Sequence, residues 1–143
     1  MFIDFRIKPR SEVTSGLVME LVPSGNNGKD QSVFLDEDFF GFFEPLIFKH
    51  YPPYANYGHW GESRISAEIW RKITEDVDSL LVELALASDG SVFKGRFWFY
   101  EWSEDEFLLR FNNFKDGLIK GGGELSRWLK KNIDNGDITI IGV

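Results

Sequence analysis

The stretch from Ser66 to Ala87 constrains the fold most, because its apolar residues recur every three or four positions. Ser66 is a good N-cap, and the residues of the opposite face are mainly charged. A helix of this kind has one stripe that must be buried against other elements. The apolar stripe consists of Ile69, Ile73, Val77, Leu80 and Leu84.

Other segments show the alternation typical of half-buried strands. Residues 3–8 alternate apolar and polar side chains up to Pro9. In residues 17–22, Leu17, Met19 and Leu21 alternate with Val18, Glu20 and Val22 up to a turn-forming stretch that begins at Pro23. We expect these two to pair as a hairpin. Residues 33–35, the aromatic-rich residues 92–102 and residues 138–141 are further predicted strands.

A second helical pattern runs over residues 105–132, with Gly121, Gly122 and Gly123 in its middle. Three glycines destabilise a helix interior by roughly 3 kcal/mol relative to alanine. We therefore predict two nearly collinear helices with a kink or short loop between them. A single helix packed closely against neighbouring backbone is the alternative.

Together these segments predict one domain over residues 1–143. The order of strands and helices favours an α+β fold, with a mixed or mainly antiparallel sheet of about four to five strands and two to three helices packed on one face.

Acidic residues are unevenly distributed in this chain of net charge −7. Two windows, between Lys29 and Lys49 and between Arg96 and Arg110, hold nine of the 23 acidic residues and no basic residue. The rest of the chain has 14 acidic and 16 basic residues, so the excess of negative charge lies entirely in these windows. This balance argues against nucleic acid as a ligand and favours a basic protein partner.

Residues 36–63 follow neither periodicity and are rich in aromatic side chains. A loop of this length is either a binding loop or is packed on the core by its own side chains. Both interpretations remain open from the sequence.

Catalytic motifs fail on inspection. Residues 61–65 lack the second glycine of a nucleophile elbow, and the Gly28-Lys29-Asp30 stretch has an acid where a phosphate loop needs a hydroxyl. His50 and His59 could bind a metal with Glu62 or Asp38, although their spacing matches no helical metal site. The paired carboxylates of both windows leave a small glycosidase-like hydrolase as a further alternative.

Several stretches resemble small immunity proteins of bacterial polymorphic-toxin and contact-dependent inhibition systems. They are the aromatic residues 54–61, the Ser66-capped helix with Trp70 near its start, the aromatic segment before an acidic turn, and the closing residues 138–143. The resemblance implies a cytosolic, non-enzymatic inhibitor of a cognate toxin domain, often a basic nuclease. It supplies no binding residues.

Charge and aromatic character predict the partner-binding surface instead. Aromatic side chains commonly anchor such interfaces, and clustered charge steers the partner. The predicted binding residues are Asp36, Glu37, Asp38, Glu44, Tyr54, Tyr57, Trp60, Glu101, Glu104, Asp105 and Glu106.

The absence of Cys and the charges near the N-terminus lead us to expect a cytoplasmic protein without a cofactor or membrane span. The chain could act as a monomer, or as a homodimer that uses the exposed face of the predicted aromatic strand.

Overall fold

The computed structural model describes residues 3–13, 18–25, 29–57 and 60–142. Four strands form one sheet, and two long helices with four shorter ones complete the described fold. In chain order these are β1 (Val18–Pro23), β2 (Val33–Asp36), α1 (Glu37–Gly41), α2 (Glu44–His50), α3 (Tyr54–Tyr57), β3 (Glu62–Ile65), α4 (Ala67–Leu86), α5 (Glu104–Leu109), α6 (Phe111–Ile133) and β4 (Ile138–Ile141).

The sheet is antiparallel throughout, with strand order β2-β1-β4-β3. Its inner face carries buried apolar side chains, among them Leu21, Leu35, Ile65 and Ile140, which pack in the same core as α4 and α6. The predicted α+β fold with a mainly antiparallel sheet is therefore confirmed.

Helix α4 matches its predicted span. The Ser66 hydroxyl accepts a hydrogen bond from the Ile69 N–H at 3.4 Å and caps the first turn. The indole N–H of Trp70 donates to the Ile138 carbonyl at 3.0 Å, which ties the helix to β4. The core stripe of α4 thus lies directly on the sheet.

Helix α6 passes through the three glycines without a break, so the predicted kink is wrong and the alternative of one closely packed helix is confirmed. A Cβ on Gly121 would collide with the Phe5 carbonyl oxygen, and one on Gly122 would lie 2.6 Å from Leu81. Neighbouring segments pack closely into the space that side chains at these positions would fill, and this packing offsets the low helix propensity of glycine. The helical pattern instead breaks earlier, at Arg110, between α5 and α6.

Residues 3–8 form no ladder, so their predicted strand and its hairpin with the second segment are corrected. Only Lys8 makes a bridge, to Phe34 of β2, while β1 pairs with β2 and β4. The side chain of Phe5 packs edge-on against Phe39, with ring centroids 5.6 Å apart. The segment is held by this packing on α6 and α1 rather than by strand pairing.

The predicted strand over residues 92–102 is also wrong. This segment begins with a 3-10 turn, Ser91–Phe93, and then runs irregularly through Gly95, whose φ of 78° few side chains tolerate. Phe93, Phe97 and Trp102 are buried. The homodimer interface expected on this aromatic strand therefore loses its structural basis.

Residues 36–57 fold into the end of β2 and the three short helices α1, α2 and α3. Phe39, Phe40, Phe42 and Phe43 are each at most 1% exposed, so this stretch packs on the core. No helix of the described residues is long and apolar enough to cross a membrane.

Candidate functional site

The two acidic windows meet in space, one beneath the other. The Asp38 carboxylate accepts hydrogen bonds from three consecutive backbone N–H groups, those of Tyr100 at 2.9 Å, Glu101 at 3.2 Å and Trp102 at 3.4 Å. Asp38 itself is 6% exposed. A carboxylate from the first window therefore fixes the backbone of the second.

Glu44 lies at the centre of a buried cluster with two tyrosines. Its carboxylate accepts hydrogen bonds from the hydroxyl groups of Tyr54 and Tyr100, the latter at 2.7 Å. Glu44 and Tyr54 are both 0% exposed. Burial, and next the charge of Glu44, raise the pKa of both tyrosines well above the usual range.

Asp36 and Glu37, two further acids of the first window, also interact within the chain. Asp36 accepts from the Lys8 ammonium at 2.8 Å and from the Asp4 N–H at 3.3 Å. Glu37 is 6% exposed. The predicted surface role of Asp36, Glu37, Asp38 and Glu44 is thus corrected, because three of these residues are buried and Asp36 is paired with Lys8.

The acids of the second window lie on the outside of the molecule. We call Glu101, Glu104, Asp105 and Glu106 the outer acidic segment. Glu101, Asp105 and Glu106 are exposed and Glu104 is half-buried. Within the described chain, none of the four forms an ion pair.

The outer acidic segment is held in place from both sides. The Ser103 hydroxyl caps α5 by accepting from the Glu106 N–H at 3.1 Å, and Glu104 accepts from the Gly95 N–H at 2.6 Å. Trp102 packs edge-on against Phe114 with centroids 5.1 Å apart. The four carboxylates therefore project from an ordered backbone.

The predicted aromatic anchors differ in exposure. Tyr54 is buried, stacks near Trp98 and cannot contact a partner. The side chain of Tyr57 lies outside the described residues, whereas Trp60 is 61% exposed. The prediction that Tyr54 contacts a partner is therefore wrong, whereas contact through Trp60 stays a prediction.

Leu109 is an exposed apolar residue that the sequence analysis did not single out. It is 83% exposed and lies four residues after Asp105, on the same face of α5. The signal was available in the sequence, as a leucine at helical spacing from an acid.

Among the described residues, those considered for a metal site or a nucleophile turn do not come together. His50 bonds Asp76, with Nε2 and Oδ2 2.6 Å apart, and His59 lies outside the described residues. Residues 3–13, 18–25, 29–57 and 60–142 contain no group of three or more His, Cys, Asp or Glu side chains placed to hold a metal. Residues 62–65 form β3 rather than a nucleophile turn, and Gly28 falls outside the description.

Comparison with known proteins gives no relative: no protein family, no curated protein and no solved structure matches this chain.

Proposed function

We propose that this chain is a binding protein that captures a basic protein partner through the outer acidic segment. The observation that carries the proposal is a set of four carboxylates that form no ion pair with any described residue, on a backbone held by the buried Asp38 carboxylate and the Ser103 cap. Unpaired like charges at this density repel one another, and an oppositely charged partner relieves that repulsion.

The fixed backbone matters for binding because ordering a flexible loop on association costs free energy. Here Asp38 and the Ser103 cap have already ordered the segment. Carboxylates in fixed positions also attract a basic partner before contact, which raises association rates by roughly 10- to 1000-fold at low salt. The design favours fast capture.

Leu109 supplies the apolar part of the proposed surface. Its side chain is 83% exposed and shares a helix face with Asp105. An apolar side chain that loses its water on docking contributes affinity that exposed charges alone do not. Charge and an apolar anchor thus lie side by side on α5.

A toxin domain of the nuclease type fits this surface best. Such a domain is basic where it binds nucleic acid phosphates, and carboxylates on an inhibitor can occupy the same basic groove. The chain would then protect a cell as an immunity protein. This role follows the family resemblance described above and is supported by the exposed, unpaired charge of the outer acidic segment.

Co-expression with the toxin candidate encoded beside this gene tests the proposal. The intact chain should restore growth and form a complex whose association rate falls with salt. The variant E101K/E104K/D105K/E106K should lose protection and associate at least roughly 10-fold more slowly at low salt.

A matched control separates local charge from net charge. The variant D30K/E68K/E75K/D116K alters four other exposed acids, and both variants carry a net charge of +1 in place of −7. The control should still protect the cell. Equal association rates for the two variants would contradict the proposal, as would an intact chain that neither protects against nor binds the neighbouring protein.

A further inference from the structure

A groove lies between the N-terminal segment, residues 3–8, and helix α6. It encloses about 410 Å³, with Arg6 and Ile7 on one wall and Lys120 and Glu124 among the residues of the other. On α6 the lining runs from residue 117 to residue 124, about 10 Å along the helix axis. Three residues of extended chain span about the same length.

The backbone of Ile7 faces this groove without a hydrogen-bond partner in the described chain. Lys8 exchanges two backbone hydrogen bonds with Phe34 of β2, at 2.9 and 2.8 Å, so its own groups point to the sheet. Backbone groups alternate in direction along an extended chain, and those of Ile7 therefore point away from β2, toward α6. The Phe5 carbonyl, two residues earlier, lies against Gly121 of α6, in agreement with this direction. Ile7 thus presents an open strand edge to the groove.

Opposite charges line the α6 wall one helical turn apart. Lys120 is exposed and Glu124 is half-buried, and among the described residues neither has an ion-pair partner. They lie about 6 Å apart along the helix axis. In an extended chain the side chains of alternate residues share a face and lie about 7 Å apart. The wall therefore matches a chain with one acidic and one basic residue in alternate positions.

We propose that the groove binds an extended segment of a protein partner that carries an acidic and a basic side chain two residues apart. The residue between them pairs with Ile7, whose N–H donates to its carbonyl and whose carbonyl accepts from its N–H. The acidic side chain then meets Lys120, and the basic one meets Glu124. A single residue exchanges both hydrogen bonds with one partner residue only in an antiparallel pair, so the segment runs antiparallel to residues 3–8.

The side-chain directions agree with this pairing. Facing residues of two paired strands place their side chains on the same face, and the Ile7 side chain packs against the core. The middle side chain of the bound segment is therefore directed inward, where Gly117 and Gly121 leave the α6 side of the groove without side chains. Its charged neighbours point outward to the rim. The groove shares no residue with the outer acidic segment, so each proposal can fail without the other.

Titration of the intact chain with two capped pentapeptides, followed by amide NMR, tests the proposal. The peptides are acetyl-Ala-Lys-Val-Glu-Ala-amide and its reverse order, acetyl-Ala-Glu-Val-Lys-Ala-amide. One of them should shift the Ile7 amide in a saturable manner with a dissociation constant below roughly 5 mM, and the other should bind more weakly. The proposal is overturned if neither peptide does so, or if the Ile7 amide shifts with chain concentration alone because a second copy fills the groove.

Methylating the backbone nitrogen of the valine in the tighter peptide tests the strand pairing without altering the protein. This peptide cannot donate to the Ile7 carbonyl, and its dissociation constant should rise at least roughly 10-fold. Equal binding of the methylated and unmethylated peptides would show that the charges alone hold the peptide, and the strand pairing would be wrong.

Exchanging the two charges of the α6 wall tests the contacts with the charged side chains. K120E/E124K keeps the net charge of −7 and should prefer the peptide order that the intact chain binds more weakly. K72E/E75K makes the same exchange at two exposed residues of α4 and should keep the original preference. If K120E/E124K is folded by circular dichroism and also keeps the original preference, Lys120 and Glu124 do not contact the segment and the proposal fails.

Discussion

The two acidic regions, residues 36–44 and residues 101–106, have similar acidic composition, but the first is largely buried and the second lies largely on the surface. Asp36, Glu37, Asp38 and Glu44 flank four phenylalanines that are each at most 1% exposed, and Glu37, Asp38 and Glu44 are buried with them. Over residues 101–107 only Trp102 and Phe107 are buried, and the four acids before and between them are exposed or, for Glu104, half-buried. The density of neighbouring apolar residues, rather than the acids, decides where each region lies.

The difference also separates two uses of a carboxylate. A buried carboxylate must accept hydrogen bonds to offset its lost hydration, and Asp38 and Glu44 accept them from backbone N–H and tyrosine hydroxyl groups. An exposed carboxylate has no such requirement and keeps its charge available to a partner. The first region organises the molecule, and the second can face outward because of it.

Removing Glu44 should have the largest effect on stability. Glu44→Ala leaves the buried Tyr54 hydroxyl without its acceptor and opens space in the core, which we expect to lower the free energy of unfolding by about 3 kcal/mol. Urea unfolding measures the change. Glu101→Ala makes the same substitution in the outer acidic segment and should stay within about 0.5 kcal/mol of the intact chain. Similar losses for both variants would remove the distinction.

Replacing Asp38 should have an intermediate and more local effect. Asp38→Asn removes the charge and turns one oxygen into a donor that faces N–H groups, which should cost about 2 kcal/mol. The amides of Tyr100, Glu101 and Trp102 should exchange with solvent faster. Asp105→Asn is the matched control and should leave both measurements unchanged. Unaltered exchange in Asp38→Asn would show that the backbone of residues 100–102 is ordered by other contacts.

Local pattern predicted the elements whose own residues carry the signal, whether a long apolar stripe with a cap or a short apolar run after a turn. The span of α4 followed from its apolar stripe and from Ser66, and β4 followed from its apolar residues. The buried role of Asp38 could not follow in this way, because its hydrogen-bond donors lie more than 60 residues further along the chain. Acidic composition alone suggested a surface for both regions.

Propensity failed where tertiary packing was stronger. Aromatic residues favour strands, yet the Trp98 N–H donates to the Gly41 carbonyl and the N–H groups of residues 100–102 donate to the Asp38 carboxylate, so no ladder forms. Glycines disfavour helices, yet Gly121 admits the backbone of Phe5 at a distance that no side chain allows. Both errors share a cause, since the deciding contact comes from a distant segment.

Compared with the Glu44 and Asp38 substitutions, a rise to alkaline pH should have the smallest effect on the free energy of unfolding, and it should act through Tyr54 in the first region. Burial raises the pKa of Tyr54, so the folded chain keeps a proton that the unfolded chain releases above pH of about 10. This contribution to stability is complete below that pH and is lost as pH rises, by about 1.4 kcal/mol per pH unit. Tyr54→Phe should be less stable than the intact chain at pH 8, and the difference should shrink above pH of about 10. A difference that stays constant with pH would mean that Tyr54 ionises as readily in the folded chain as in the unfolded one, and the buried cluster around Glu44 would then have to be open to water.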